Sequence, residues 1–272
     1  MSPKRNTRPR SRSVPRSEPV ADSTRAEICA VAVAEAFRGD GEILASSFGT
    51  VPAVGARLAK ATFAPELLMT DGTATLLEEP LPVSGKPDTG PVSEAWMPFA
   101  NIFDLVWNGK RHVVMVASQI DRYGNQNFAC IGPHEKPKAQ LLGMRGAPGN
   151  TICHLTSYWV PNHSTKTFVE KVDVVSGVGN DRASELGEAA RFHDLRRVIS
   201  NLGVFDFQTP DRRMRLRSVH PWVSVDEIVE QTGFELVIEG DVPTSREPDA
   251  DELRWIREVI DPKGFCNNEV PA

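Results

Sequence analysis

Helical and strand-like patterns of apolar residues alternate along the chain from residue 22. The first helical pattern follows a candidate cap at Asp22 or Ser23 and ends at Gly39, and a second begins near Thr50. The other segments of the first half are a short apolar one at 43–45, a strand at 67–69, a loop rich in Pro, Gly and Ser at 80–98, a helix at 99–106 and a buried strand at 112–118. This alternation predicts a mixture of helices and strands.

The same mixture continues through the second half of the chain. Two capping boxes, Ser224-x-x-Glu227 and Asp249-x-x-Glu252, predict two helices, the second of which ends before Pro262. Strand-like segments lie at 152–156, 172–175, 202–207, 214–219 and 234–238. Strands that alternate with helices predict an α/β fold in which an open, mainly parallel sheet is flanked by helices. No linker interrupts residues 22–266, so we expect a single domain there.

Composition and charge narrow the range of functions. The 272 residues carry a formal net charge of −5, but six of the 31 Lys and Arg residues lie within 1–17, which contains no acidic residue. The rest of the chain is therefore strongly acidic, which argues against a nucleic-acid partner. No apolar run approaches the ~20 residues of a membrane span, so no membrane partner is expected. We predict a disordered basic tail at 1–21, with a nucleic-acid or membrane arm as the alternative, and a flexible tail at 267–272.

Ready-made catalytic and metal-binding motifs are missing from the sequence. The four cysteines are scattered without a C-x-x-C pair, and the six histidines lack ligand-like spacing, so we expect no metal and no prosthetic group. A complete dinucleotide fingerprint, a P-loop, an H-E-x-x-H motif and a G-x-S-x-G motif are also absent. Reduced thiols and the lack of a signal-peptide pattern predict a cytoplasmic protein.

Polar residues at the ends of predicted strands are candidates for substrate binding. The turn at 119–127 directly follows a buried strand and offers Gln119 and Asn125, and Thr70 and Asp71 end the strand at 67–69. Ligands of α/β proteins bind at the carboxyl ends of parallel strands. The alternative for both segments is an ordinary turn in which Asp and Asn side chains bond to their own backbone.

A glycine-rich segment at 143–151 is the remaining candidate. It contains Arg145, Gly146, Ala147 and Asn150. Glycines allow close backbone approach, so amides here suit an oxyanion, and the arginine suits a substrate carboxylate. We expect this segment and the preceding polar turn to follow strands of one parallel sheet and to line one pocket. The alternative is simply a tight loop.

Four motifs in order resemble those of the β subunit of class I coenzyme A transferases. They are Q-I-D-x-x-G-N-x-N at 119–127, H-x-x-K-x-F-V-x-x-V-D at 163–173, H-P-W-V-S-x-D-x-I through T-G-F at 220–234, where Trp222 replaces the usual glycine, and E-L-x-x-I-R-x-x-I-D-P at 252–262. The resemblance implies an open α/β fold and a CoA thioester as substrate. It also implies an obligate α-subunit partner, in an α2β2 heterotetramer, with the active site at the interface between subunits.

The chain departs from that family at the position of the catalytic residue. In the transferases a β-subunit glutamate attacks the acyl-CoA to form a glutamyl thioester, whereas this chain has Thr70-Asp71-Gly72. The segments 143–152, 202–207 and 212–217 resemble a subgroup with the same loss, the ring-opening CoA hydrolases of bacterial steroid catabolism. This resemblance implies that the α subunit supplies the glutamate. It also implies that the last ring of a cholesterol catabolite is opened by retro-Claisen-like hydrolytic C–C cleavage.

The sequence thus predicts no certain catalytic residue in this chain. The predicted substrate-binding residues are Thr70, Asp71, Gln119, Asn125, Arg145, Gly146, Ala147 and Asn150. Two alternatives stay open: a CoA-transferase subunit for a small dicarboxylic or 3-oxo acid, with Asp71 in place of the glutamate, and a non-catalytic scaffold that completes the α-subunit site. Arg213, Arg215 and Arg217 share one face of a predicted strand and suit either a phosphate clamp for CoA or an edge that faces solvent or a subunit.

Overall fold

The computed structural model describes residues 23–83 and 90–270, so the predicted basic tail at 1–21 lies outside the described residues. Its strands are β1 (Leu44–Ser47), β2 (Thr75–Leu77), β3 (Ser93–Trp96), β4 (Arg111–Val116), β5 (Gln119–Ile120), β6 (Gln126–Asn127), β7 (Cys130–Ile131), β8 (Ala139–Gln140), β9 (Leu155–Val160), β10 (Asp194–Ser200), β11 (Gly203–Asp206) and β12 (Arg215–Val219). Its helices are α1 (Arg25–Ala36), α2 (Thr50–Thr62), α3 (Phe99–Trp107), α4 (Ala147–Cys153), α5 (Asn180–Ala183), α6 (Val225–Glu230) and α7 (Ala250–Arg254), which continues as a π-helical turn at Trp255–Ile260, with 3-10 turns at Gly187–Ala190 and Phe265–Asn268. None of these described helices has both the length and the apolar composition needed to cross a membrane.

Six of the strands form the central sheet, in the order β1-β4-β9-β10-β11-β12. The first four of these strands are parallel to one another, whereas β11 and β12 add on in antiparallel directions. The other strands pair in three small hairpins, β2 with β3, β5 with β6 and β7 with β8. The predicted open, mainly parallel sheet is confirmed.

Side chains alternate across the strands and divide the core into two layers. On one face of the sheet, Val114 and Trp159 belong to the cluster that includes α1 and α2. On the other face, Val113 and Tyr158 pack in a cluster with Ala147 of α4. Both faces of the sheet are therefore covered, which explains why the central strands β4 and β9 are buried along almost their whole length.

Helix starts follow the predicted capping chemistry. α1 begins after Thr24, one or two residues later than predicted, because the Thr24 hydroxyl accepts the Glu27 N–H at 3.3 Å while the Glu27 carboxylate accepts the Thr24 N–H at 2.7 Å. Asp249 and Glu252 form the predicted reciprocal box at the start of α7. Local chemistry of this kind is visible in a sequence because donor and acceptor are three residues apart.

The predicted strand at 67–69 is only joined to β1 through an isolated bridge at Leu68. Three further predicted strands also differ in the structure. The segments 172–175 and 234–238 form no strand, although their Val172 and Phe234 are buried. Burial of single side chains gives the same apolar pattern as a strand without requiring a hydrogen-bonded ladder. The third, at 152–156, is divided between the end of α4 and the start of β9.

The packed domain continues beyond residue 266, where the prediction ended it. The carboxylate of Glu269 accepts the backbone N–H groups of Thr50 and Val51, and Val270 is 4% exposed. The segment 267–270 is therefore held against the domain through Glu269 and Val270, and residues 271–272 of the predicted flexible tail lie outside the described residues.

Candidate active site

The carboxyl edge of the parallel strands collects two of the predicted site segments. The segment 67–70 runs parallel to β1, with Leu68 bridged to Leu44, so Thr70 ends at the carboxyl edge. β4 ends at the same edge and is followed by Gln119. Because neighbouring strands are ~4.8 Å apart, these two segments are two strand positions, or about 10 Å, from each other.

Asp71 closes a turn and is ionised there. Its Oδ1 accepts the backbone N–H groups of Thr73, Ala74 and Thr75 at 2.8, 2.9 and 3.0 Å. Hydrogen bonds from Thr75 and from these N–H groups hold the pKa of Asp71 well below its ordinary value. The Thr70 hydroxyl accepts a further N–H of the same turn at 3.2 Å. A carboxylate whose charge is stabilised in this way is a weaker nucleophile than a free one.

The turn between β5 and β6 has the self-capping geometry that was the alternative interpretation. The Asp121 Oδ1 accepts the N–H groups of Tyr123 and Asn125, both at 3.0 Å. Gly124 has a φ of 82°, and a Cβ there would lie 2.6 Å from Leu195. Only glycine fits this position, so the turn is held rigidly against the core.

The two predicted ligands in this turn bond within the chain. The Asn125 amide donates to Asp121 at 3.0 Å and to Asp181 at 2.9 Å, and its oxygen accepts a backbone N–H at 2.8 Å. The Gln119 amide donates to Asp173 at 3.0 Å. Since both side chains are nearly buried, at 2% and 6% exposed, the structure gives them a positioning role. Direct contact between these side chains and a substrate stays a prediction.

The third predicted segment is a loop only in its first half. Gly146 precedes α4, whose first residue, Ala147, is buried. The prediction that this segment follows a strand of the parallel sheet is wrong, because the strand before it, β8, belongs to a small hairpin with β7. α4 lies on the sheet face and turns directly into β9.

Asn150 bonds to a half-buried arginine, Arg111, a contact that the sequence did not reveal. Its Oδ1 accepts from Nη1 of Arg111 at 3.2 Å, and its Nδ2 lies 3.2 Å from Sδ of Met115. Arg111 also donates to the Ser46 hydroxyl at 3.0 Å. Burial lowers the pKa of Arg111 to about 10. No carboxylate among the described residues forms an ion pair with it, and a strand pattern cannot show this because the partners are distant in sequence.

The segment 177–179 joins the polar turn to α4. Its Gly179 N–H donates to the Asn125 amide oxygen, and its Val178 N–H donates to the Thr151 hydroxyl at 2.9 Å. The turn and α4 are therefore one connected unit. Thr70 and Asp71 lie apart from that unit, on the far side of β1.

Arginines near the site differ in how they are paired. Arg145 is exposed, has a φ of 49°, and donates through Nε to a backbone carbonyl at 3.0 Å, which leaves its terminal nitrogens without a partner among the described residues. Arg213, Arg215 and Arg217 all contact carboxylates, and Arg215 makes a two-point contact with buried Asp206 at 3.0 and 2.9 Å. Arg145 is thus the better candidate for a substrate anion. Within 23–83 and 90–270, no three acidic, His or Cys side chains cluster as metal ligands would.

Several known proteins share this sequence pattern and this fold. The family model of coenzyme A transferase matches residues 26–231. The cholesterol ring-cleaving hydrolase IpdB subunit of Rhodococcus jostii (strain RHA1) is 50% identical over 254 residues, which span 93% of this chain and 99% of that protein. The crystal structure of Rhodococcus jostii RHA1 IpdAB matches with a TM-score of 0.86 and 50% identity over 93% of this chain and 100% of that chain. A 3-oxoadipate CoA-transferase subunit of Pseudomonas knackmussii is 27% identical over 76% of this chain and 82% of that protein.

Proposed function

Because the chain belongs to the coenzyme A transferase family, we propose that it is the β-type subunit of a hydrolase that opens the last ring of a cholesterol-derived CoA thioester. An α-type subunit supplies the catalytic glutamate, and two copies of each chain form an α2β2 heterotetramer. The 50% identity with a ring-cleaving subunit, against 27% with a transferase subunit, supports this choice within the family.

The observation that carries the proposal is the environment of Asp71. A transferase needs a carboxylate that is free to attack the thioester carbonyl and to hold the acyl group covalently. At this position the chain has a hydroxyl, Thr70, followed by a carboxylate that accepts three backbone N–H groups. The geometry therefore disfavours acyl transfer through this chain and leaves water as the nucleophile.

Hydrolytic ring opening fits the groups that this chain offers. Water adds its oxygen to a ring ketone carbon β to the thioester. The bond from that carbon to the α-carbon then breaks, and the electron pair stays on the α-carbon, which takes a proton while a carboxylic acid forms. A glutamate of the partner moves the protons. We assign stabilisation of the oxyanion or of the new carboxylate to the Arg145 guanidinium.

A cytoplasmic location is part of the proposal. Cys29, Cys130, Cys153 and Cys266 form no disulfide, and the first, second and fourth are buried. Free buried thiols are typical of proteins in a reducing compartment.

The test uses the assembled α and β chains, a cyclic β-keto acyl-CoA and water labelled with ¹⁸O. We expect a ring-opened product with one ¹⁸O atom in the new carboxylate, measured by mass spectrometry. In parallel, the complex is incubated with acyl-CoA, reduced with borohydride and digested. An adduct on Asp71 or Thr70, with no ring-opened product, would falsify the hydrolase and favour the small-acid transferase.

A further inference from the structure

Four exposed aromatic side chains lie on β3 and on one face of α3, and two of them, Phe99 and Phe103, are in edge-to-face contact. We call these four residues the aromatic stripe: Trp96 at the end of β3, and Phe99, Phe103 and Trp107 of α3. The three helical residues are four positions apart and therefore lie on one face. Their exposed fractions are 58%, 49% and 55%, and that of Trp96 is 78%. The opposite side of α3 faces the protein, where Val106 is buried and Ile102 and Leu105 are half-buried, so the face that carries the three aromatic residues is turned away from the core.

The aromatic stripe connects the separate halves of the candidate site. At one end Trp96 pairs with Thr75, in the turn that Asp71 closes. At the other end the Trp107 ring lies 3.9 Å from the position that a Cβ of Gly149 would occupy in α4. Any molecule that covers the stripe therefore also approaches the turn that Asp71 closes and the helix α4.

The stripe is large enough to form a substantial part of a protein interface. At 150–250 Å² for each buried aromatic residue, it exposes roughly 500 Å² of aromatic surface. That value is near the upper end of the ~300–600 Å² of the largest patch on a typical monomer, and is more than half of the ~800 Å² that one side of a standard interface buries. Leu142, 70% exposed, and Met144, 42% exposed, extend the apolar surface before α4.

We infer that the aromatic stripe is the surface on which the α-type partner docks, with α3 as its central element. This inference rests on the proposed function. In the proposed mechanism neither the Thr70 hydroxyl nor Asp71, whose Oδ1 accepts three backbone N–H groups, serves as a carboxylate nucleophile, so the molecule that covers this site brings the catalytic glutamate. A second copy of this chain would bring the same Thr70 and Asp71. The last ring of a steroid is much shorter than the stripe, in which α3 alone extends ~13 Å.

The first experiment measures assembly rather than activity. This chain is co-expressed with the α-type family member of its own genome and, separately, with the other subunit of the Rhodococcus jostii complex. The variants are Phe103→Ser and Trp107→Ser, and the matched controls are Val229→Ser and Ile238→Ser, which replace apolar residues that are 45% and 41% exposed outside the stripe. Dissociation constants and complex mass are measured by light scattering and titration.

Each stripe variant is expected to weaken α binding by about 30-fold or more, the range of an interface hot spot, whereas each control stays within threefold. Circular dichroism should show an unchanged fold, because the altered side chains pack little against the core. Unchanged α binding would overturn the inference. So would loss of only the αβ-to-α2β2 step, which would assign the stripe to a second copy, or normal assembly with a raised KM, which would assign it to substrate.

Tryptophan fluorescence gives an independent measurement that does not depend on turnover. Trp96 and Trp107 are exposed, whereas Trp159 is fully buried. Binding of the α subunit should therefore shift emission to shorter wavelength and reduce acrylamide quenching, and Trp96→Phe with Trp107→Phe should abolish both changes. A wild-type complex that shows these changes but opens no ring would refute the proposed hydrolase and leave the docking surface standing. Unprotected tryptophans in a stable complex would refute the docking surface alone.

Discussion

Beneath α1, three side chains form the acid–imidazole–hydroxyl chain familiar from serine hydrolases. The Asp40 carboxylate lies 2.6 Å from Nδ1 of His112, and Nε2 of His112 lies 2.9 Å from the Ser157 hydroxyl. All three side chains are at most 1% exposed, and the Phe37 ring lies 4.5 Å from the imidazole. A nucleophile must meet its substrate, so this geometry stabilises the sheet and does not catalyse.

We therefore expect Ser157→Ala to keep kcat and KM within twofold in the assembled enzyme. The free energy of unfolding should fall by about 1–2 kcal/mol, because His112 loses a buried hydrogen-bond partner. Urea titration and steady-state kinetics measure the two effects. A fluorophosphonate probe should leave Ser157 unlabelled, and labelling with loss of turnover would contradict the structural role.

Two substitutions in the segment before α4 distinguish a side-chain contribution to turnover from a backbone contribution. Arg145→Ala should lower turnover by about tenfold, through loss of a cation near the developing anion, while the complex stays assembled. The matched control is Arg254→Ala, which removes an exposed arginine of α7. Equal turnover of both variants would exclude Arg145 from the site.

Gly146 tests whether substrate approaches the backbone there. Its φ is −84°, and a Cβ would meet nothing closer than 3.8 Å, so Gly146→Val is compatible with the fold. We expect normal thermal unfolding and reduced turnover, since the only neighbour left to clash is a bound substrate. Full turnover of Gly146→Val would show that the loop is merely a turn.

Among the elements, α2 is capped by a residue from the far end of the chain. Its N-cap, Gly49, has no side chain for the purpose, and Glu269 accepts the N–H groups of Thr50 at 2.5 Å and Val51 at 3.0 Å. The same carboxylate accepts Nε1–H of Trp159 at 3.1 Å. Glu269 thus ties the C-terminal segment to α2 and to the sheet.

Glu269→Ala should lower the free energy of unfolding by about 1–2 kcal/mol, because two N–H groups at a helix start lose their acceptor. Glu258→Ala, which removes an exposed carboxylate of the π-helical turn, is the control and should change stability by less than about 0.5 kcal/mol. Urea unfolding curves compare the two. Equal stability of the two variants would mean that water replaces the cap.

Helices and strands were predictable from the sequence where the interactions that start or end them join residues close in sequence. The box of Asp249 and Glu252 starts α7 as expected, since its two partners are three residues apart. The cap of α2 was not predictable, because Glu269 is more than 200 residues from Thr50. α4 was missed because Pro148 and Gly149 are typical of loops, and burial of its first residue against the sheet outweighs that preference.

Over the whole molecule, ordered motifs predicted the family and the α/β sheet, but not how the site is assembled. Motif spacing places Gln119 after a strand, yet only the fold shows that its amide bonds to Asp173 and that segment 177–179 ties the turn to α4. The aromatic stripe was also missed, since Phe99, Phe103 and Trp107 give the pattern of any amphipathic helix. Which side of a helix meets the core is decided by tertiary packing.

Buried histidines should make the whole fold sensitive to mild acid. Burial lowers the pKa of His163 to about 3 and the pKa values of His154 and His220 to about 4, against 6.5 in an unfolded chain. Between those values the unfolded state binds protons that the folded state does not. Above pH 6.5 these histidines do not lower the free energy of unfolding. Below pH 6.5 each of them lowers it by about 1.4 kcal/mol per pH unit.

At pH 5.0 each of these histidines should therefore lower the free energy of unfolding by about 2 kcal/mol relative to its value at pH 7.5. His163→Gln removes one titrating group, so its free energy of unfolding should depend less steeply on pH than that of the wild type, whatever its value at pH 7.5. His134→Gln replaces an exposed histidine and should leave the slope unchanged. Urea unfolding at pH 7.5, 6.0 and 5.0 measures these slopes. Parallel slopes for the wild type and His163→Gln would mean that His163 is protonated in the folded protein, where the hydroxyls of Ser200 and Thr232 can accept from both ring nitrogens.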